Sequence, residues 1–313
     1  MMITFDVDAT RQALAWKPLI GALRNMFQTG CEAPVRHHHD VAVPGESTAT
    51  LLLMPAWTPG DYLGIKIANV FPGNADRGSP AVSASYVLCD GKTGEMLAVI
   101  DGGELTARRT AAASALAASY LARPDAARLL TVGTGRLPKD LVTAHSNVRP
   151  IREVTCWGRN FDKAVELAEQ LVADGVDARA TDDLALAAAN ADIISCATLA
   201  NEPLLRGEWL NPGTHVDLVG GFKRTMREAD DDVVRRASVF VDTRAGATSE
   251  AGDIVQPIES GVLSESDIQA DLFDLSRGTH PGRRSEQEIT MFKSVGAALE
   301  DLAAAILVYE SKV

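Results

Sequence analysis

Leu129-Leu130-Thr131-Val132-Gly133-Thr134-Gly135 is the stretch on which the fold turns. Four strand-forming residues run into two glycines one residue apart. That is what a chain needs where it leaves a buried strand, turns too tightly for side chains, and enters a helix whose first N–H groups face an anion. Downstream the pattern alternates. Helix-compatible residues at 140–145 lead to a strand at 153–157 and a helix at 162–173, with Val165, Leu167, Ala168 and Leu171 at its apolar positions. Further strands are predicted at 178–180, 193–197, 215–219 and 238–241, with a helical stretch at 184–189. Strand and helix in alternation make βαβ units around a parallel sheet. An α/β fold is therefore expected, with a Rossmann-type doubly wound sheet beginning near Arg128.

The residues upstream read differently. At 17–28 Leu19, Ile20, Leu23, Met26 and Phe27 follow helical spacing, with Pro18 in the first turn and Gly30 just past the end. Strand-like runs follow at 49–53, 62–67, 82–89 and 96–101, separated by turns such as Phe71-Pro72-Gly73-Asn74 and Asp90-Gly91. With no helices between them, they predict a meandering, largely antiparallel sheet. An Ala-rich helix at 104–123, stopped by Pro124, joins this part to the next. The final helix, at 297–309, is expected to pack back on the first part. The chain is thus read as an α+β domain (1–124 and 297–313) and a dinucleotide-binding domain (125–296).

Composition narrows the functional classes. With 313 residues, 46% apolar and 23% charged, the chain is long enough for two cores and a cleft. A net charge of −12 argues against a nucleic-acid partner, whose phosphates need a basic surface. Cys31, Cys89, Cys156 and Cys196 form no C-x-x-C pair, so neither a disulfide framework nor a zinc site is indicated, and a reducing cytoplasm is the default. The first ten residues carry Asp6 and Asp8 and lack the apolar stretch of a signal peptide. No apolar run approaches the ~20 residues that span a bilayer, so no membrane association is expected. His37, His38 and His39 invite a metal reading, but only His37 and His39 would share a face of a strand, and nothing in the sequence completes the site. No metal is expected.

The glycine turn predicts a dinucleotide held by Gly133, Thr134 and Gly135. The third position of the G-x-G-x-x-G/A pattern is Pro138, which suits a first helical turn. At the end of the second strand, Thr155-Cys156-Trp157-Gly158-Arg159-Asn160 offers no acid to accept from a ribose 2′-hydroxyl. Arg159 instead presents donors suited to a 2′-phosphate, so NADP(H) is preferred and NAD(H) is possible. Arg136 and Asn160 are candidates beside it. The competing reading of Arg159 is a solvated surface arginine. In the first domain Arg36, Lys66, Arg108 and Arg109 are cations in an acidic protein that could seat a carboxylate, although isolated basic residues mostly face solvent.

Gly64-Ile65-Lys66, Phe71-Pro72-Gly73-Asn74, Leu105-Thr106-Ala107-Arg108-Arg109-Thr110-Ala111-Ala112, Ser249-Glu250-Ala251-Gly252-Asp253-Ile254 and Phe292-Lys293-Ser294-Val295-Gly296, in this order, resemble the ornithine cyclodeaminase/mu-crystallin family. The resemblance spans nearly the whole chain. It implies that 1–124 with 297–313 form a substrate-binding and dimerisation domain, through which a homodimer forms. It also implies that Arg36, Lys66 and Arg109 hold a substrate carboxylate, that Val295 faces the substrate, and that Thr198, Val219 and Ser294 contact the nicotinamide nucleotide. One departure bears on the reaction: where the cyclodeaminases carry a catalytic aspartate, this chain has Phe222, which can neither accept nor deliver a proton. The expected activity is NADPH-dependent reduction of a cyclic imino acid of the Δ1-pyrroline-2-carboxylate or Δ1-piperideine-2-carboxylate type, with Lys66 as proton source or electrostatic partner. An alanine-type amino-acid dehydrogenase, an ornithine cyclodeaminase and a non-enzymatic NADPH-binding protein are the alternatives. Asp217, His215, Glu250 and Asp253 are read as structural.

Overall fold

The computed structural model describes residues 2–312, with the side chains of all but 75 and 76 among them. These residues form two sheets, and the chain divides into two compact units, Met1–Arg109 with Ala297–Val313, and Thr110–Gly296. The division falls inside the helix Gly102–Leu121.

In the first unit six strands, β1 (Ile3–Phe5), β2 (His37–Val41), β3 (Ala49–Trp57), β4 (Tyr62–Val70), β5 (Val82–Asp90) and β6 (Met96–Asp101), lie in the order β1-β6-β5-β4-β3-β2. The expected meander is present from β2 to β6, antiparallel throughout. Added to it is β1, which pairs parallel with β6 and was too short to be read from its residues. Alternation is clearest in β4, where Gly64, Lys66 and Ala68 are buried on one face while Ile65 and Ile67 project to the other. The helix Ala298–Glu310 packs over β3 and β4 and against the helix Trp16–Thr29. The latter turns Leu19, Ile20, Leu23, Met26 and Phe27 inward, as their spacing predicts.

The second unit is a parallel sheet. β7 (Arg128–Val132), β8 (Glu153–Trp157), β9 (Ala178–Ala180), β10 (Ile193–Cys196), β11 (His215–Leu218), β12 (Ser238–Val241), β13 (Ile268–Asp271) and β14 (Thr290–Lys293) lie in the order β13-β12-β14-β11-β10-β7-β8-β9. Neighbours on β7 and β10 belong to opposite faces: Leu129 and Ile193 enter one core, Leu130, Val132, Ile194 and Cys196 the other. The chain winds from β7 outward to β9, then crosses back to place β10 against the other side of β7. A crevice therefore opens at the carboxyl ends of β7 and β10, where open α/β sheets bind ligands. The doubly wound class is borne out. The strands β13 and β14 were not anticipated, and β14 is inserted between β11 and β12. Among the described residues no helix is long and apolar enough to cross a membrane.

Candidate functional site

At the end of β7 the backbone of Gly133 has φ +120°, a conformation that L side chains rarely adopt. A Cβ there would also lie 2.6 Å from the carbonyl oxygen of Ala197. The following helix, Leu137–Ser146, starts with no side chain capping its first turn, and Pro138, buried in that turn, removes one N–H that would otherwise lack a partner. The first N–H groups are thus left for an anion at the helix end. Gly133, Thr134 and Gly135 line a cavity of about 400 Å³ with Arg159, Asn160, Lys163 and Thr198 among its other walls. A dinucleotide fits this place: the turn is closed to side chains at Gly133 and open at Gly135, where a Cβ would meet nothing within 4 Å.

Arg159 is exposed just past β8 and lines this cavity. Asn160 spends its side-chain oxygen on the backbone N–H of Lys163, capping the helix Phe161–Ala173. That cap places Lys163 in the first turn, on the same cavity wall as Arg159, a second cation that the sequence reading missed although an Asn cap three residues before a Lys was visible. Arg136 stands at the start of the glycine-turn helix and does not line this cavity. Val219 and Ser294 are buried at the carboxyl ends of β11 and β14, outside the same cavity wall. Ser294 donates its backbone N–H to Leu218, and Val219 donates to Cys196. Val295 gives its N–H to Asp242 at 2.7 Å and packs its side chain against the apolar core of the second unit.

In the first unit, Lys66 takes an inward place on β4 and meets Asp301 of the helix Ala298–Glu310, Nζ to Oδ2 2.7 Å. Arg109 donates from Nε to Asp301 at 2.8 Å and from one terminal nitrogen to Glu300 at 2.6 Å. All four side chains are at most 6% exposed. Burial pushes the Lys66 ammonium down to about 8; Arg109 and Arg36 add to the fall, and Asp301 opposes it. Desolvation is the largest of these effects, ahead of either arginine. For Arg109 burial works against the charge, yet Asp301 and Glu300 outweigh it and hold the proton more tightly than usual. Asp301 likewise stays ionised below its ordinary range: Lys66 and Arg109 overcome its burial. Arg36, half-buried before β2, is near enough to depress Lys66. Arg108 takes another course, donating to the carbonyl of Leu14 and stacking 4.1 Å over Trp16. Glu300 and Asp301 escaped the sequence reading. Their signal was two adjacent acids ahead of an apolar run, Leu302 to Val308.

Residues 3–313 match the ornithine cyclodeaminase/mu-crystallin family. The chain belongs to that family. A Δ1-pyrroline-2-carboxylate reductase of Paracoccus denitrificans is 42% identical over 299 residues, 95% of this chain and 93% of the relative. Among solved structures, the Thermococcus litoralis Δ1-pyrroline-2-carboxylate reductase in complex with NADH and L-proline superposes with TM-score 0.92 at 33% identity, covering 99% of this chain and 97% of that one. An archaeal alanine dehydrogenase dimer with bound NAD gives 0.90 at 28% identity, covering 99% and 95%. This member of the ornithine cyclodeaminase/mu-crystallin family carries Phe222 in the loop after β11, 43% exposed, with the Lys223 ammonium 5.9 Å from its ring centre. The residues read as structural are built in: Asp217 accepts from Ser114 and Ser195, His215 shares a hydrogen bond with Thr290, Asp253 accepts from the backbone of Glu228 and Ala229, and Glu250 ends the helix Arg244–Glu250. Among the described residues no group of three or more His, Cys, Asp or Glu is placed to hold a metal, and His37 and His39 stand on one face of the edge strand β2 with ring centres 6.4 Å apart.

Proposed function

We propose that this chain reduces the C=N bond of a cyclic imino acid of the Δ1-pyrroline-2-carboxylate or Δ1-piperideine-2-carboxylate type to the L-amino acid, with NADPH preferred over NADH. The observation that carries the reading is Lys66, a buried ammonium with its proton affinity lowered to about 8, set beside arginines able to pair with a carboxylate. When bound, the dihydronicotinamide supplies the hydride to the imine carbon. Arg36 and the terminal nitrogen of Arg109 that neither Asp301 nor Glu300 engages hold the substrate carboxylate, which fixes the reacting carbon in place. Lys66 gives a proton to the imine nitrogen as it becomes an amine; near neutral pH such a lysine is both protonated and willing to release. Asp301 keeps that ammonium oriented, and Lys66, 4% exposed, regains its proton from solvent once product has left.

The relatives named as reductases of this imine support the substrate class, and Phe222 supports reduction over deamination with ring closure, which needs a proton-moving side chain there. The alanine dehydrogenase likeness favours a second reading, oxidative deamination of a small amino acid by the same hydride chemistry run in reverse. NADP(H) preference rests on Arg159 and Lys163 and on the lack of an acid from Thr155 to Asn160, while the nucleotides named in the two structural neighbours are NADH and NAD. A homodimer is also proposed. The face of the six-stranded sheet turned away from Lys66 presents Leu53, Pro55, Ile65, Ile67, Val87 and Val99 in register, each half-buried, which a second copy would cover. The test is a panel of Δ1-pyrroline-2-carboxylate, Δ1-piperideine-2-carboxylate, L-ornithine and L-alanine with both nucleotides. Imine-dependent NADPH oxidation is expected, and turnover confined to alanine with NAD would replace this reading with the second.

A further inference from the structure

Glu228 is fully buried, and its three hydrogen bonds come from neutral donors at two separate strand ends. One carboxylate oxygen accepts from the backbone N–H of Thr198 at 2.7 Å and from its hydroxyl at 2.8 Å; the other accepts from the backbone N–H of Gly220 at 2.7 Å. Thr198 follows β10 and Gly220 follows β11, so one planar group sets the spacing of two loops at the carboxyl edge of the sheet. There is no slack around it. A Cβ on Gly220 would lie 2.0 Å from the carbonyl oxygen of Thr198, and one on Gly133 would lie 3.3 Å from the Thr198 side chain. Glu228 is anchored in turn: Asp253 accepts from its backbone N–H at 2.8 Å, and the Lys293 ammonium lies 3.2 Å from the second oxygen of Asp253. Burying a carboxylate whose hydrogen-bond donors are all neutral is a costly way to fill space, even with the Lys293 ammonium near enough to favour its charge. What it delivers is geometry, at the wall of the cavity that Thr198 and Gly133 share.

We propose that Glu228 is a positioning residue for the nicotinamide half of the cofactor, acting through Thr198 and the Gly220 loop. The inference rests on the nucleotide reading above and concerns one end of the groove only. Glu228→Gln keeps the shape but sets an NH2 group against at least one N–H, where no hydrogen bond can form. The measurement is binding, by NADPH fluorescence titration and, in parallel, calorimetry with adenosine 2′,5′-bisphosphate, which fills only the adenosine end at Arg159. Glu228→Gln is expected to raise the NADPH Kd on the order of tenfold and to leave the bisphosphate Kd unchanged. Thr198→Val, which removes one of the three bonds, should move NADPH binding the same way by less, and Thr198→Ser should restore it. These two variants decide the matter if Glu228→Gln does not fold. Equal NADPH affinity in wild type and variants overturns the role of Glu228, and so does equal weakening of both ligands, which would mark a general structural loss. Wild-type protein that binds the bisphosphate and NADPH in neither titration overturns the nucleotide reading itself.

Discussion

Lys66 shares the inward face of β4 with Gly64 and Ala68; the Tyr86 ring fills the space over Gly64, and the lysine is only 4% exposed. The lysine is therefore answered by Asp301 alone at short range, and burial outweighs that answer. Lys66→Met should lower imine turnover by about 10²–10⁴-fold, the range for loss of a general acid, with NADPH affinity unchanged by fluorescence titration. The donor form exists below about pH 8, so the reductive rate should fall as pH rises through that value in the native protein. Asp301→Asn removes the charge that helps Lys66 keep its proton; the alkaline limb should then move to lower pH in a rate profile. The same variant leaves two buried cations less compensated, and denaturant unfolding should show a loss of about 3–5 kcal/mol. Arg159→Ala should raise the NADPH Kd by about 10- to 100-fold, as expected for a charge-assisted contact of roughly 1.5–3 kcal/mol, with the NADH Kd unmoved. Equal changes for both nucleotides would instead place Arg159 on the pyrophosphate or on no ligand.

At the scale of elements, the turn between β7 and its helix owes its form to glycine only at Gly133, where φ is positive and the Ala197 carbonyl is close; Gly135 has open space. Gly133→Ala is expected to cost about 1–3 kcal/mol and to abolish nucleotide binding, whereas Gly135→Ala should fold normally in a thermal melt. Many element boundaries were legible. The predicted strands at 153–157, 178–180 and 238–241 coincide with β8, β9 and β12, because each is framed by turn residues. β14 was not legible. Thr290, Met291, Phe292 and Lys293 are all buried, on both faces, so the run shows no alternation, and a lysine inside it argues against a strand until Asp253 is seen beside it. β13 does alternate, Ile268 and Ala270 buried and Gln269 and Asp271 less so, but four residues are too few for the alternation to be read as a strand.

For the whole molecule, the face of the antiparallel sheet turned away from Lys66 is the apolar surface proposed for a second copy. Leu53, Pro55, Ile65, Ile67, Val87 and Val99 pair across β3 to β6 into one apolar surface, where a charge at the centre would oppose a second copy. Ile65→Asp is expected to sediment near the 33.2 kDa of one chain while native protein sediments at about twice that. Native protein at the single-chain mass would remove the dimer from the reading. The same surface explains why Ile65 and Lys66, adjacent in sequence, serve different ends: a strand sends them to opposite sides of the sheet.

Local signals were enough to determine the parallel sheet, the meander and the place of the glycine turn, since strand period, helix period and turn chemistry act over a few neighbouring residues. They also marked Arg36, Lys66, Arg108, Arg109 and Arg159 as cations in an acidic chain, and the family resemblance narrowed the first four to Arg36, Lys66 and Arg109. The partners of those cations were settled only by tertiary structure. Asp301 lies 235 positions from Lys66 by their residue numbers, and Glu228 meets Thr198 and Gly220 only because β10 and β11 end side by side. Electrostatic strength depends on distance and on exclusion of water, and both are properties of packing that no stretch of chain carries by itself.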